Sequence, residues 1–154
     1  MISMSRDRET KFSKILVAVD GSEASADAAD YAIEMAKNYN SELIALHIIL
    51  SDITIFGPNT PPHLDEIRQE AQKYLDKIKE KINKDKSSEK TILLRTEMIG
   101  SATAVGGIVS FAEKENVDLI VVGTRGRSGF KKLLLGSVAS SIVNYAHCPV
   151  LIVK

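Results

Sequence analysis

Lys14-Ile15-Leu16-Val17-Ala18-Val19-Asp20-Gly21-Ser22 is apolar at every position from Ile15 to Val19 and then turns. A strand with one wet face alternates apolar and polar residues, whereas an unbroken apolar run belongs to a strand buried on both faces, as in a parallel sheet covered by helices. Asp20-Gly21-Ser22 supplies a strand-to-helix turn with residues that cap helices, and Asp20 is most simply read as such a cap. From Glu23 to Asn38 the chain is rich in alanine. Ala28, Tyr31, Ala32, Met35 and Tyr39 recur there at helical spacing. Leu43 to Leu50, LIALHIIL, is a second buried strand.

The alternation continues outward from this unit. Residues 51–62 (SDITIFGPNTPP) break it with Gly57, Pro58, Pro61 and Pro62, so a loop is expected, longer than the usual strand-to-helix connection. Leu64, Ile67, Ala71, Tyr74, Leu75, Ile78 and Ile82 then form one apolar helical stripe, read as core, which ends in the polar run 83–90. Thr91 to Met98 is more alternating and predicts a strand near the sheet edge. Ser101 is placed to cap a helix carrying Val105, Ile108, Val109 and Ala112, interrupted by Gly106-Gly107. Val117–Val122 is a fourth strand. Val138, Ile142, Tyr145 and Ala146 mark a short helix, and Pro149–Val153 a fifth strand. The order β-α-β-α-β-α-β-α-β predicts an α/β, doubly wound parallel sheet with helices on both faces. In such sheets ligands bind at the carboxyl ends of the strands, where the strand order reverses. The residues alone leave that order open.

At 154 residues one domain is expected, 13–154, after a polar N-terminal tail at 1–12 that lacks the apolar core of a signal peptide. Lys plus Arg and Asp plus Glu each number 20, which argues against nucleic acid and polybasic membrane binding. No window approaches the roughly 20 apolar residues of a membrane span. The lone Cys148 excludes an internal disulfide framework and fits the reducing cytoplasm. It is read as a small buried hydrophobe rather than a reactive thiol.

Chemistry is concentrated in Gly123-Thr-Arg-Gly-Arg-Ser-Gly-Phe-Lys-Lys-Leu-Leu-Leu-Gly136-Ser137. This segment follows a buried strand and opens a helix, where backbone N–H groups and the helix dipole meet anions. Gly123 and Gly126 allow close main-chain approach, and Gly136-Ser137 adds a second set of donors with a hydroxyl. Arg125, Arg127, Lys131 and Lys132 bring positive charge with no acid among them, whereas Ile15 to Ala36 holds five acids and no Lys or Arg. The loop is neither a Walker A motif nor a dinucleotide fingerprint. By residues alone it reads as an anion or nucleotide cradle or as a glycine-rich structural turn.

Gly123-x-x-Gly126, nine residues, then Gly136-Ser137 resembles the G-2x-G-9x-G-S/T signature of the universal stress protein family, in its ATP-binding branch. Lys14–Ser22, Leu46-His47-Ile48 and Cys148–Val153 are similar to that family as well. The resemblance implies a single-domain, flavodoxin-like (Rossmann-like) three-layer sandwich with a five-stranded sheet of order 3-2-1-4-5. It also implies a homodimer through the last strand, Val150 to Val153, and ATP held between strands one and four with Mg2+ or Mn2+. Carried across, it puts Gly123, Gly126, Gly136, Ser137 and Val138 at the phosphates, with Arg125 nearby. Ala18, Val19 and Asp20 fall near ribose and phosphates, and Ile48 and Val122 flank adenine. Asp20 is the one candidate for a metal contact, through water rather than by direct ligation, and no catalytic residue is assigned.

The functional expectation is a cytoplasmic, nucleotide-dependent regulatory or signalling dimer acting in stress response, with an unnamed signalling partner. The alternatives are a slow ATP hydrolase or adenylyl-transferring enzyme on the same fold, or a nucleotide-free dimeric interaction module. Elsewhere, Glu23, Asp27, Asp30 and Glu34 share one helix face, read as solvated. His47 is expected to be a hydrogen-bonded core residue rather than a catalyst, and His63 and His147 have no metal-ligand spacing.

Overall fold

The computed structural model describes residues 12–50, 63–87, 89–124 and 135–154. The elements are β1 (Lys14–Ala18), α1 (Glu23–Tyr39), β2 (Glu42–Leu50), α2 (Leu64–Lys84), β3 (Leu93–Ser101), α3 (Ala104–Lys114), β4 (Leu119–Gly123), α4 (Ser137–Tyr145) and β5 (Val150–Val153). Every strand pairing is parallel and the sheet order is β3-β2-β1-β4-β5, the order the resemblance implies. The chain crosses from one side of β1 to the other between β3 and β4. The switch point therefore falls between β1 and β4, which pair from Ile15↔Leu119 to Val17↔Val121.

The unbroken apolar runs serve two cores, because successive side chains of a strand point to opposite faces. Ile15, Val17, Leu43, Ala45 and Val121 pack under α1 and α2, together with Ala28, Ala32, Leu75 and Ile78. Leu16, Ile44, Leu46, Ile120 and Val122 pack under α3 and α4, together with Ile108, Ala112, Ala139 and Ile142. The more alternating third strand lies at an edge, as its pattern predicts, but its limits move from 91–98 to Leu93–Ser101, paired with β2 along its whole length. Ser101 consequently ends a strand, and Thr103 caps α3 instead, its hydroxyl accepting from Gly106 N–H at 3.0 Å. The paired glycines of α3 answer to crowding. A Cβ on Gly107 would lie 2.9 Å from Ile48 Cδ1 and 2.9 Å from Ser101 Cβ.

One expectation about α1 is corrected. Its inward face is Ala28, Ala29, Ala32, Ile33 and Ala36, while Tyr31 and Tyr39 are exposed; small alanines let the helix lie close to the sheet where tyrosines would not fit. Its acidic face, Glu23, Asp27, Asp30 and Glu34, is exposed as expected; Asp30 also accepts from Lys81 at 2.7 Å, and beyond it Lys37 pairs with Asp85 at the end of α2. Phe12, assigned to the tail, packs against the first core and meets Tyr39 edge-on at 5.2 Å. Residues 1–11 and the 51–62 loop lie outside the described residues. Cys148 is half-buried against the second core, where burial and then Asp118 push its thiol pKa up, as suits a thiol held protonated.

Candidate functional site

A cleft of about 720 Å³ opens at the carboxyl ends of β1, β2 and β4. Its volume falls within the roughly 300–1,000 Å³ of small-molecule sites. Nine of the eleven positions singled out from the sequence line it: Ala18, Val19, Asp20, Ile48, Val122, Gly123, Gly136, Ser137 and Val138. Arg125 and Gly126 lie outside the described residues, as do Arg127, Lys131 and Lys132. Among the described lining residues none is Lys or Arg, and the donors at the α4 end of the cleft are backbone amides with the Ser137 hydroxyl.

Those amides belong to α4. Gly136, its N-cap, has no side chain to bond back, and Gly136 N–H donates to Thr124 O at 2.6 Å. Ser140 N–H bonds to Gly136 O at 3.0 Å, which begins the helical ladder. The amides of Ser137, Val138 and Ala139 between them have no acceptor among the described residues, and all three residues line the cleft. In α1 and α3 a Ser22 or Thr103 side chain takes up one such amide. Among the described residues nothing competes with the cleft for the α4 donors and the positive end of its dipole.

Across from α4, the β1–α1 turn is held from within. Asp20 Oδ1 accepts from Ser22 N–H at 2.9 Å, Ser22 Oγ accepts from Ser25 N–H at 3.1 Å, and Ser25 Oγ donates to Ser22 O at 2.9 Å. Ser22 is thus the helix cap, and Asp20 shapes the turn that precedes it while facing the cleft. Gly21 has φ +82°, and a Cβ there would lie 2.4 Å from Tyr74 Cζ. The absent side chain of Gly123 has a structural use: its Cβ would lie 2.7 Å from the backbone C and O of Ala24, so a glycine is needed where β4 passes under α1.

Sequence reasoning missed one whole wall. The stripe of α2, read throughout as core, divides: Leu75 and Ile78 are buried beneath the sheet, while Ile67, Glu70, Ala71 and Tyr74 line the cleft, Ile67 being 45% exposed. Periodicity marks an apolar face without saying how far along the helix the sheet extends. The polar Glu70, one step from the stripe, was the only available signal; Tyr74 donates its hydroxyl to it. Thr124 and Ser25 were also missed, both buried and both lining the cleft. His47 is buried and hydrogen-bonded as expected, with Nδ1 2.6 Å from Val19 O, and its ring also borders the cleft. Among the described residues no group of three or more His, Cys, Asp or Glu is arranged to hold a metal ion, and no helix is long and apolar enough to cross a membrane.

The universal stress protein family model matches residues 11–154. A universal stress protein of Methanocaldococcus jannaschii is 37% identical over 157 residues, spanning 99% of this chain and 88% of its own. The universal stress protein YxiE of Bacillus subtilis is 40% identical over 149 residues, 93% of this chain and 99% of its own. Among solved structures, a universal stress protein in complex with cAMP superposes with a TM-score of 0.66 at 25% identity, covering 93% of this chain and 97% of that one. With a family match over nearly its whole length and two such relatives, the chain belongs to the universal stress protein family.

Proposed function

We propose that this chain is a cytoplasmic ATP-binding regulatory protein whose nucleotide occupancy controls its shape or its partners in a stress response. The observation that carries the reading is the convergence of the Gly136-Ser137-Val138 amides, the Asp20 turn and the apolar Ile48–Val122 wall on one cleft at the switch point. In this reading the phosphates sit at the α4 terminus, with Gly126 and Arg125 completing the cradle and the Ser137 hydroxyl as a further ligand. Hydrogen bonds to charged groups contribute about 1.5–3 kcal/mol each, so a few amides suffice to hold a polyphosphate. Ribose falls near Ala18, Val19 and Asp20, and adenine between Ile48 and Val122, beside Gly123. The cAMP complex of a solved family member supports an adenine nucleotide as the ligand class.

With Asp20 as the acid facing the α4 end, Mg2+ or Mn2+ would arrive on the phosphates rather than in a protein cage, and would screen their charge. Asp20 then contacts it through water. The homodimer would form along β5, the edge strand of the sheet, whose Val150, Leu151 and Ile152 are only half-buried.

The test is to denature the purified protein, identify any released nucleotide by chromatography, and titrate the nucleotide-free protein with ATP and Mg2+ by calorimetry. Released or titratable adenine nucleotide is expected, and absence of both refutes the reading. Light scattering at micromolar concentration should give the mass of a dimer; the mass of one chain refutes the β5 interface. Incubation with ATP for hours, with ADP measured, separates a binder from a hydrolase.

A further inference from the structure

We propose that His47 contacts the bound ligand, its Nε2 accepting a hydrogen bond from a neutral O–H or N–H donor of the occupant; this rests on the nucleotide reading and assigns a specificity contact within it. His47 is 92% buried, being 8% exposed, and its ring borders the cleft. Its Nδ1 lies 2.6 Å from Val19 O. A carbonyl oxygen can only accept, so Nδ1 carries the hydrogen and donates. In the neutral ring this leaves Nε2 as a lone-pair acceptor, and Nε2 has no hydrogen-bond partner among the described residues. Among those residues Arg95 Nε is the side-chain polar atom that is sealed from solvent without a hydrogen-bond partner. His47 Nε2 is therefore reached from outside, and the space its ring borders is the cleft.

The surroundings say what it accepts. His47 follows Leu43 and Ala45 on the α1/α2 face of β2, whereas Ile48 faces α3, so the cleft wraps around the end of the strand. On the His47 side the polar groups are the Asp20 and Glu70 carboxylates, with the Tyr74 ring 5.7 Å from the imidazole. On the α4 side they are amide donors. A ligand spanning the cleft thus meets donors at one end and acceptors at the other, and a phosphate or carbonyl at the His47 end would face lone pairs. For an adenosine nucleotide the matching groups are the 6-amino group and the ribose hydroxyls, all of which donate hydrogen bonds.

The experiment measures dissociation constants of ATP, ITP (a carbonyl in place of the amine), 2′-deoxy-ATP and 3′-deoxy-ATP on the full chain and on His47→Asn. Asparagine retains a donor near the Nδ1 position for Val19 O but places nothing at Nε2. ATP should bind His47→Asn about three- to tenfold more weakly, the weight of one hydrogen bond. One analogue should lose about as much on the wild-type protein and nothing further on His47→Asn, which identifies the donor as amine or hydroxyl. Equal ATP affinity in the two proteins, or losses that multiply for every analogue, overturns the proposal while leaving nucleotide binding intact. Wild-type protein that binds none of the four overturns the nucleotide reading and this contact with it. Should His47→Asn fail to fold, the analogue series on the wild-type protein decides alone: four equal affinities overturn the contact.

Discussion

The glycine that ends β4 divides two accounts of the same residue. Read in sequence, Gly123 clears space for a phosphate; read in the packing, it clears space for α1. A Cβ at 123 would lie 2.7 Å from Ala24 C and O and 2.9 Å from Ala24 Cβ. These are mostly backbone atoms in the first turn of α1, tied down by the Ser22 cap, so no side chain can swing aside to relieve the contact. Reaching ordinary contact at 3.4 Å needs a displacement of 3.4 minus 2.7, or 0.7 Å. Overpacking of this kind costs about 1–3 kcal/mol, partly offset by the roughly 0.4–1 kcal/mol gained when alanine restricts the unfolded chain. Taking the middle of each range, about 2 less about 0.7, Gly123→Ala should lose about 1.3 kcal/mol. That lowers the melting temperature by about 3–5 °C and the urea midpoint by about 0.6 M at a slope near 2 kcal/mol/M. Because the displaced turn carries Asp20, affinity for ATP should fall with stability. The assay is urea unfolding followed by circular dichroism, with calorimetric titration of the folded variant. An unchanged midpoint together with lost binding would refute the packing account and return Gly123 to the phosphates.

Two further perturbations probe how the site is supported. Ser22→Ala removes the acceptor of Ser25 N–H and should cost about 1 kcal/mol in urea unfolding; a loss below about 0.3 kcal/mol would mean that the Asp20 turn holds α1 without a cap. The Asp85 carboxyl, lowered from 3.8 to about 2 chiefly by Lys37 and then by Ser87, should titrate by carbon-detected NMR with a midpoint near 2. Its folded pKa lies below its unfolded value, so its contribution is present above about pH 4 and is lost as pH falls through about 2. Lys37→Met should move the midpoint back up, and a midpoint already near 3.8 in the wild-type protein would exclude the pair in solution.

The fold was legible wherever burial on two faces leaves an apolar run, as at Ile15–Val19 and Leu43–Leu50, because few other environments tolerate one. Strand order was not legible in residues alone; it came from the resemblance, since crossover handedness restricts topology without ranking neighbours. Limits failed where two residues competed for one role. Ser101 and Thr103 are both good caps, and the nine-residue pairing of β3 with β2 carried the strand past the first of them. The amide half of the site was legible because glycine and serine before a helix have a specific physical use. The wall of α2 was hidden because a side chain that caps a core and one that lines a cleft have the same spacing; where α2 outruns the sheet is decided by where the strands it packs against, chiefly β2, come to an end.

The zero net charge acquires a meaning from the same geometry. Of the five acids between Ile15 and Ala36, Asp30 is paired with Lys81 of α2, and the adjoining Lys37–Asp85 pair closes the far end of that seam. These pairs run along the α1–α2 contact and away from the strand ends; Glu23, Asp27 and Glu34 are exposed, where salt screens their charge over a Debye length of about 8–10 Å. Asp20 alone of the five lines the cleft, and Glu70 joins it on the wall of α2. Facing them, α4 contributes the fixed positive end of its dipole, which carries no counter-charge in its own first turn, where acids are absent. An overall neutral chain thereby holds a site with opposite polarity at its two ends: anion-accepting at α4 and donor-accepting at Asp20, His47 and Glu70. A ligand with phosphates at one end and amine or hydroxyl groups at the other fits that polarity in one orientation only.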